Sequence, residues 1–160
     1  IEFTILTAAR SGEVRGATWS EFDLDDRSWQ IPADRMKAGR AHRVPLSDRA
    51  VEILNTMASY RQSVEPSAYV FEGQKAGRPL SDMTLTMPLR RAELGITIHG
   101  FRSTFRDWCS DASVAPREVA EACLAHSVRN SVEAAYARTD HFDKRRVVME
   151  QWASYCGGET

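Results

Sequence analysis

Strand-like patterning is confined to one short part of this chain. Three stretches between Ser20 and Leu46 read as strands, the first by alternating polar and apolar residues, and beyond Ser47 only Tyr69-Val70-Phe71 reads as extended. A chain with so little sheet must bury most of its apolar surface with helices. The three stretches are Ser20 to Asp25 (SEFDLD), Ser28 to Ile31 (SWQI) and His42 to Leu46 (HRVPL). A turn at Asp25-Asp26-Arg27 and a basic loop over 32–40 separate them, an order that predicts an antiparallel meander. The expected fold class is mainly α with a small antiparallel three-stranded sheet (α+β).

Helix punctuation fills the rest. Residues 1–9 read as the end of an apolar helix, and Ser11 is placed to cap a short helix through Ala17, with Glu13 in its first turn. Ser47 caps a helix over 48–63 that gathers Val51, Leu54, Met57 and Ala58 on one face. Ser81 opens a helix over 82–93, which Pro88 is expected to kink or shorten. Helices follow at His99 to Asp111 and Pro116 to Leu124, and Asn130 with Glu133 has capping-box spacing for a helix through Arg138. The last helix runs from Asp140 to Gly157-Gly158, with Val147, Val148 and Trp152 as its expected apolar face.

Composition narrows the function. The chain has 160 residues, 42% hydrophobic and 27% charged, which suits one ordinary domain and excludes a disordered chain. No apolar run approaches the ~20 residues needed to span a bilayer. Lys plus Arg total 21 against 22 Asp plus Glu, so the basic excess usual in nucleic-acid-binding domains is missing. A site for a polyanion must therefore come from charges sorted onto one face. The basic residues are 18 Arg and three Lys, which suits bidentate phosphate contacts, although a GC-rich coding sequence accounts for the bias equally well. Cys109, Cys123 and Cys156 are odd in number, lack CxxC spacing and read as reduced, mostly buried thiols of a cytosolic protein. His42, His99, His126 and His141 lack paired metal-ligand spacing, so no metal is expected.

Five stretches concentrate groups able to bind or protonate a phosphate. Arg10 and Glu13 are three apart; alone they read as a surface pair, but they also make an arginine fork held by a carboxylate. Lys37 sits in the 32–40 loop between Arg35 and Arg40, where the lysine can reach a site and the arginines can track a phosphate backbone. His99 and Arg102 share a helix face at a helix start, where anions are favoured. His126 follows an apolar helix, and Tyr136 lies ten residues on, beside Ala134 and Ala135. Taken singly, each residue has an ordinary structural explanation.

Taken in order, Arg10, Lys37, His99-x-x-Arg102, His126 and Tyr136 resemble the tyrosine recombinases of the phage integrase family. The segments RSGEVRGATWSEFDLD, IPADRMKAGRAHRVPLS, HGFRSTFRDW and LAHSVRNSVEAAYARTDHFDKRR are similar to those of prophage and genomic-island integrases, and the resemblance covers nearly the whole chain. It implies a single catalytic domain over 1–160, separated from amino-terminal DNA-binding domains. It implies Tyr136 as nucleophile on a DNA phosphodiester, Arg10 and Arg102 as clamps on its non-bridging oxygens, and Lys37 as acid for the departing 5′ oxygen. His99 takes a role in proton transfer, His126 donates a hydrogen bond to the phosphate, and Glu13 orients Arg10. Such chemistry needs no cofactor, because a covalent phosphotyrosine keeps the bond energy for rejoining. A phenol is ionised to only about one part in a thousand at pH 7, so a ring of cations must stabilise its attack.

The resemblance further implies double-stranded attachment sites as partners, a homotetramer on DNA from subunits that are monomers in isolation, accessory DNA-bending proteins, and a cytoplasmic, nucleoid-associated location in a bacterium. The carboxy-terminal helix packs either on a neighbouring protomer or back on its own domain. In this sequence Ala125 stands where many members have glycine, and Pro88 interrupts a helix that relatives keep continuous. A type IB topoisomerase shares the chemistry but not the local motifs. A DNA-binding module that no longer cleaves, and a metal-dependent nuclease, fit the residues less well.

Overall fold

The computed structural model describes residues 1–126 and 140–158. Tyr136 and the helix expected between Asn130 and Arg138 lie outside the described residues. The described elements, in chain order, are helices α1 (Glu2–Thr7) and α2 (Ser11–Arg15), strands β1 (Phe22–Asp23), β2 (Ser28–Ile31) and β3 (His42–Pro45), then α3 (Asp48–Ser59), α4 (Asp82–Arg91), α5 (Gly100–Asp111), α6 (Arg117–Cys123) and α7 (Phe142–Gly157). The strands form one antiparallel sheet in the order β1-β2-β3, with Ile31 opposite His42 as the last rung before the loop. The predicted meander and its helical surround are both present.

Several boundaries differ from expectation, each for a physical reason. The first strand shrinks to two residues because Glu21 turns inward within a 3-10 turn at Trp19–Glu21 and accepts the Trp29 Nε1–H at 2.8 Å. Ser11 is not the cap of α2. Arg10 occupies that place, and the Glu13 carboxylate reaches back to accept its backbone N–H at 2.8 Å. Helix α3 stops at Ser59, where the chain leaves to bring the Pro66 and Ala68 carbonyls to the Ser20 and Trp19 amides. Pro88 is accommodated within α4, which runs three residues past it to Arg91. Helix α7 begins at Phe142, whose N–H is accepted by Asp140 Oδ1 at 3.2 Å, and Gly158 ends it in the left-handed conformation at φ 78.

A smaller apolar cluster of Leu85, Leu89 and Ile98 packs α4 near the start of α5, and among the described residues two larger ones hold the fold together. One packs α1 and α3 against the sheet through Phe3, Leu6, Trp29, Ile31, Val44 and Leu54, with Phe22 stacked on Trp29 at 5.4 Å. The other joins α5, α6 and α7 through Phe105, Val119, Leu124, Met149 and Trp152. Helix α7 packs back on its own chain: Trp152 Nε1 donates to the Ile5 carbonyl at 2.8 Å, and Arg146 reaches Asp26. Its buried stripe is Phe142, Arg145, Val148, Met149, Trp152 and Ala153, a helical repeat that leaves Val147 exposed, contrary to its expected place on the apolar face. Among the described residues no helix is long and apolar enough to cross a membrane.

Candidate active site

The site is assembled where α1 gives way to α2. Ala8 turns the chain in the left-handed conformation at φ 48, and Arg10 follows at the start of α2. Its guanidinium donates from Nη1 to Glu13 Oε1 at 2.9 Å, while the other carboxylate oxygen holds the Arg10 backbone. Glu13 is almost fully buried and Arg10 is 27% exposed, so the carboxylate anchors a guanidinium that still reaches the surface.

Arg102 comes from the first turn of α5 and is buried. It donates from Nη1 to the Ala8 carbonyl, and from Nη2 to the Leu124 carbonyl at 2.7 Å. Nη2 also lies 3.3 Å from His126 Nε2. One side chain therefore ties the α1–α2 turn to the end of α6. Burial, and then the neighbouring charge of Arg10, lower the Arg102 pKa to about 10, which still leaves it a cation at neutral pH. The mutual repulsion places the two guanidinium groups in one electrostatic neighbourhood.

His126 is oriented by a group that sequence reasoning missed. Its Nδ1 lies 2.5 Å from Glu121 Oε2, and Glu121 Oε1 accepts from Arg106 Nε at 2.8 Å. An ionised carboxylate there selects the Nδ1–H tautomer, leaving Nε2 to accept from Arg102. Burial opposes ionisation of Glu121, but the hydrogen bonds from Arg106 and His126 together outweigh it and hold the carboxyl below its usual range. The only sequence cues were Arg106 one turn after Arg102 and Glu121 shortly before His126. Ala125, between α6 and His126, sits at φ 50, in the left-handed region that favours glycine.

The remaining candidates are placed as follows. His99 is exposed at the start of α5, one turn before Arg102. Lys37 and Arg40 are exposed in the loop between β2 and β3. Arg35, expected to track a phosphate backbone, instead turns inward: its guanidinium pairs with both oxygens of Glu21 and donates to the Glu13 carbonyl. With those partners it braces α2 against the sheet and is committed within the fold. Arg15 bonds the Leu80 carbonyl at 3.0 Å, on the side of α4. Tyr136 lies outside the described residues.

Two further groups complete the surroundings. His42, at the start of β3, is pushed down to about 3 by burial and then by the charges of Arg145, Arg102 and Arg10, against a hydrogen bond to the Cys123 backbone. At neutral pH it is an uncharged imidazole that feels the charges of Arg145, Arg102 and Arg10. Arg145, from α7, is buried beside it. Among the described residues no group of three or more His, Cys, Asp or Glu is placed to hold a metal ion. The arrangement is a set of fixed cations held largely by carbonyl oxygens, which suits recognition and stabilisation of a phosphodiester.

Comparison with known proteins agrees in kind. A model described as the Phage integrase family matches residues 1–142. Prophage integrase IntA of Escherichia coli (strain K12) is 38% identical over 154 residues, covering 93% of this chain and 36% of that protein. The Integrase of Enterobacteria phage P4 is 34% identical over 173 residues, covering 97% of this chain and 39% of that protein. The chain thus spans well under half the length of either relative. Among solved structures, the Integrase from mycobacterium phage Brujita matches 94% of this chain and 50% of its own with a TM-score of 0.69, a likeness of fold at 20% identity.

Proposed function

We propose that this chain, which belongs to the phage integrase family, carries the strand-cleaving and strand-joining chemistry of a site-specific DNA recombinase. The observation that carries the reading is that Arg102 bonds the Ala8 carbonyl, two residues before Arg10, and lies 3.3 Å from His126 Nε2, so that three separate parts of the sequence meet at one side chain. Two guanidinium groups and an imidazole in that arrangement match the non-bridging oxygens of a phosphodiester.

The reaction follows from the residue types. The Tyr136 hydroxyl attacks phosphorus, its proton passing to His99, and a 3′-phosphotyrosine bond forms as the bond to the 5′ oxygen breaks. Lys37 gives that oxygen its proton, so the strand leaves as a 5′-hydroxyl. Attack by a second 5′-hydroxyl runs the steps in reverse and releases the tyrosine. Arg10 and Arg102 stabilise the charge that grows on the non-bridging oxygens, while Glu13 fixes the first of them. His126 hydrogen-bonds the phosphate, its ring held from Nδ1 by Glu121. Neither ATP nor a metal enters the balance.

Integration and excision of a mobile element at double-stranded attachment sites is the corresponding biological role, carried out by a homotetramer assembled on DNA with accessory DNA-bending proteins, in the bacterial cytoplasm. The whole of 1–160 serves as the catalytic domain within a longer chain. Arg40, exposed beside Lys37, contributes a contact to the DNA backbone.

The test is covalent trapping. The full-length natural protein is incubated with a nicked suicide substrate in EDTA at low salt, and protein–DNA adducts are resolved under denaturing conditions. An adduct in wild type that disappears in Tyr136→Phe, with DNA binding retained, supports the assignment; an adduct of equal yield in Tyr136→Phe refutes it. Arg10→Ala and Arg102→Ala each slow adduct formation by at least ~100-fold, the usual loss of one transition-state donor.

A further inference from the structure

Arg145 is the most buried charged side chain of the fold, 1% exposed, and the chemistry above does not use it. Its Nη2 donates to the Arg43 carbonyl on β3, and its Nη1 to the Asp140 carbonyl at 3.3 Å. Among the described residues its nearest carboxylate oxygen, Asp140 Oδ2, is 4.0 Å away, and its Nε is buried with no hydrogen-bond partner there. Burial pushes the guanidinium below its ordinary range, with the Cys123 thiol as an interacting neighbour. A buried, poorly compensated cation is weak as a stabilising device, and apolar side chains of similar volume commonly replace one without loss of stability. What an apolar side chain cannot reproduce is a rigid fork that holds two carbonyls in fixed directions.

The place it holds is informative. Arg43 lies one residue inside the Ile31–His42 rung, the last before the loop that carries Lys37. The Arg43 side chain is fixed from the same helix, lying 3.5 Å over the Phe142 ring with Nη2 3.4 Å from Asp140 Oδ2. Helix α7 thus grips both the backbone and the side chain at the base of this hairpin.

We propose that Arg145 is a positioning residue for strand cleavage, setting the base of the β2–β3 hairpin so that Lys37 reaches the departing 5′ oxygen. The inference rests on the reading of Lys37 as the general acid, and the experiment separates the two. Single-turnover cleavage by the full-length natural protein is measured on suicide substrates whose scissile phosphate carries either oxygen or sulfur at the 5′ bridging position. A thiol has pKa about 8.5, far below an alcohol, so a sulfur leaving group departs without a proton. Lys37→Ala is the reference: its defect on oxygen should largely vanish on sulfur.

Arg145→Met is expected to slow cleavage of the oxygen substrate roughly 10- to 100-fold at saturating protein. On the sulfur substrate the loss should shrink to about threefold or less, with DNA affinity within about twofold and Tm within about 5 °C of wild type. Arg145→Lys keeps the charge but not the fork, and shows the same sulfur rescue of a smaller defect; it serves if Arg145→Met does not fold. An Arg145 defect equal on both substrates, or none on oxygen, overturns the inference when Lys37→Ala is rescued. A Lys37→Ala defect equal on both substrates overturns the general-acid reading, and this inference with it.

Discussion

Replacing Glu13 with alanine tests how the site's first arginine is held. The carboxylate is 5% exposed and accepts two hydrogen bonds, from the Arg10 backbone at 2.8 Å and from its guanidinium at 2.9 Å. Truncation leaves a part-buried N–H at the start of α2 without its charged acceptor, a loss of about 1.5–3 kcal/mol. The guanidinium contact is partly screened and adds about 0.5–1 kcal/mol. Alanine returns about 0.5 kcal/mol through better helix propensity. The net loss is about 1.5–3.5 kcal/mol, and at ~2–4 °C per kcal/mol for a chain of this size Tm falls by about 3–14 °C. A guanidinium no longer held from behind also loses its aim, so cleavage at saturating DNA slows by roughly 10- to 100-fold. Glu13→Gln keeps both bond directions only if its amide nitrogen were an acceptor, which it is not, so one contact is lost and both effects are about half as large in free energy. Thermal unfolding by circular dichroism and single-turnover cleavage measure the two effects. A Tm within about 2 °C of wild type for Glu13→Ala, with cleavage unchanged, would refute the anchoring role.

Four further outcomes follow. Ala125→Gly relieves a left-handed alanine at φ 50, worth about 0.5–1 kcal/mol after glycine's extra unfolded-state entropy, and raises Tm by roughly 1–4 °C; a decrease in thermal unfolding experiments contradicts this. Glu121 is held below its ordinary value of 4.5, so its contribution is complete above that pH and disappears as pH falls through the folded value. The Tm difference between wild type and Glu121→Gln therefore closes on acidification below about pH 4.5, and a constant difference down to about pH 3 would exclude the coupling. Arg102→Met gives up its carbonyl contacts but removes a buried cation, so Tm moves by less than about 5 °C while cleavage falls at least ~100-fold; a collapse in Tm would mean that Arg102 chiefly supports the fold. Arg40→Gln lowers the slope of log affinity against log salt by about 1, whereas Arg35→Gln leaves the slope unchanged and lowers Tm, because Arg35 is already engaged by Glu21; equal slopes for Arg40→Gln and wild type would remove Arg40 from the DNA contacts.

The parts of the site that were legible in sequence are those with local geometry. Arg10 with Glu13 is an i,i+3 pair, and the structure uses that spacing, though with the carboxylate rather than Ser11 as the cap. The sheet was readable because its strands are consecutive in the chain and each pairs with its sequence neighbour. Direction within a loop was not readable. Arg35, Lys37 and Arg40 have similar surroundings in the sequence, yet of the three Arg35 alone meets a buried carboxylate, and Glu21 is turned inward where the Trp29 indole N–H also reaches it. His42 and Arg145 were illegible for the same reason. Their environment is created by α7 packing onto β3 and by the Cys123 backbone reaching His42, contacts separated by about a hundred residues for Arg145 and Arg43, which no local period reports.

The choice of partners around Arg102 bears on how a chain of net charge -1 can present a strongly attractive point for a phosphate. A carboxylate would satisfy a buried guanidinium more completely than carbonyl oxygens do, and Arg35 with Glu21 shows that this fold builds such pairs. At Arg102 that solution would neutralise the charge and leave an anion competing with the phosphate for the same donors. The Ala8 and Leu124 carbonyls and the imidazole of His126 instead direct the guanidinium with dipoles and leave its full charge in place. The carboxylates that do take part, Glu13 and Glu121, are bonded to Arg10 and to Nδ1 of His126, so neither is hydrogen-bonded to Arg102 itself. The cost is a buried cation beside another cation, and it falls on the folded protein before DNA arrives. A phosphodiester that enters this neighbourhood repays it by supplying the missing counter-charge, and its attraction is greatest when charge on the non-bridging oxygens is greatest, at the transition state.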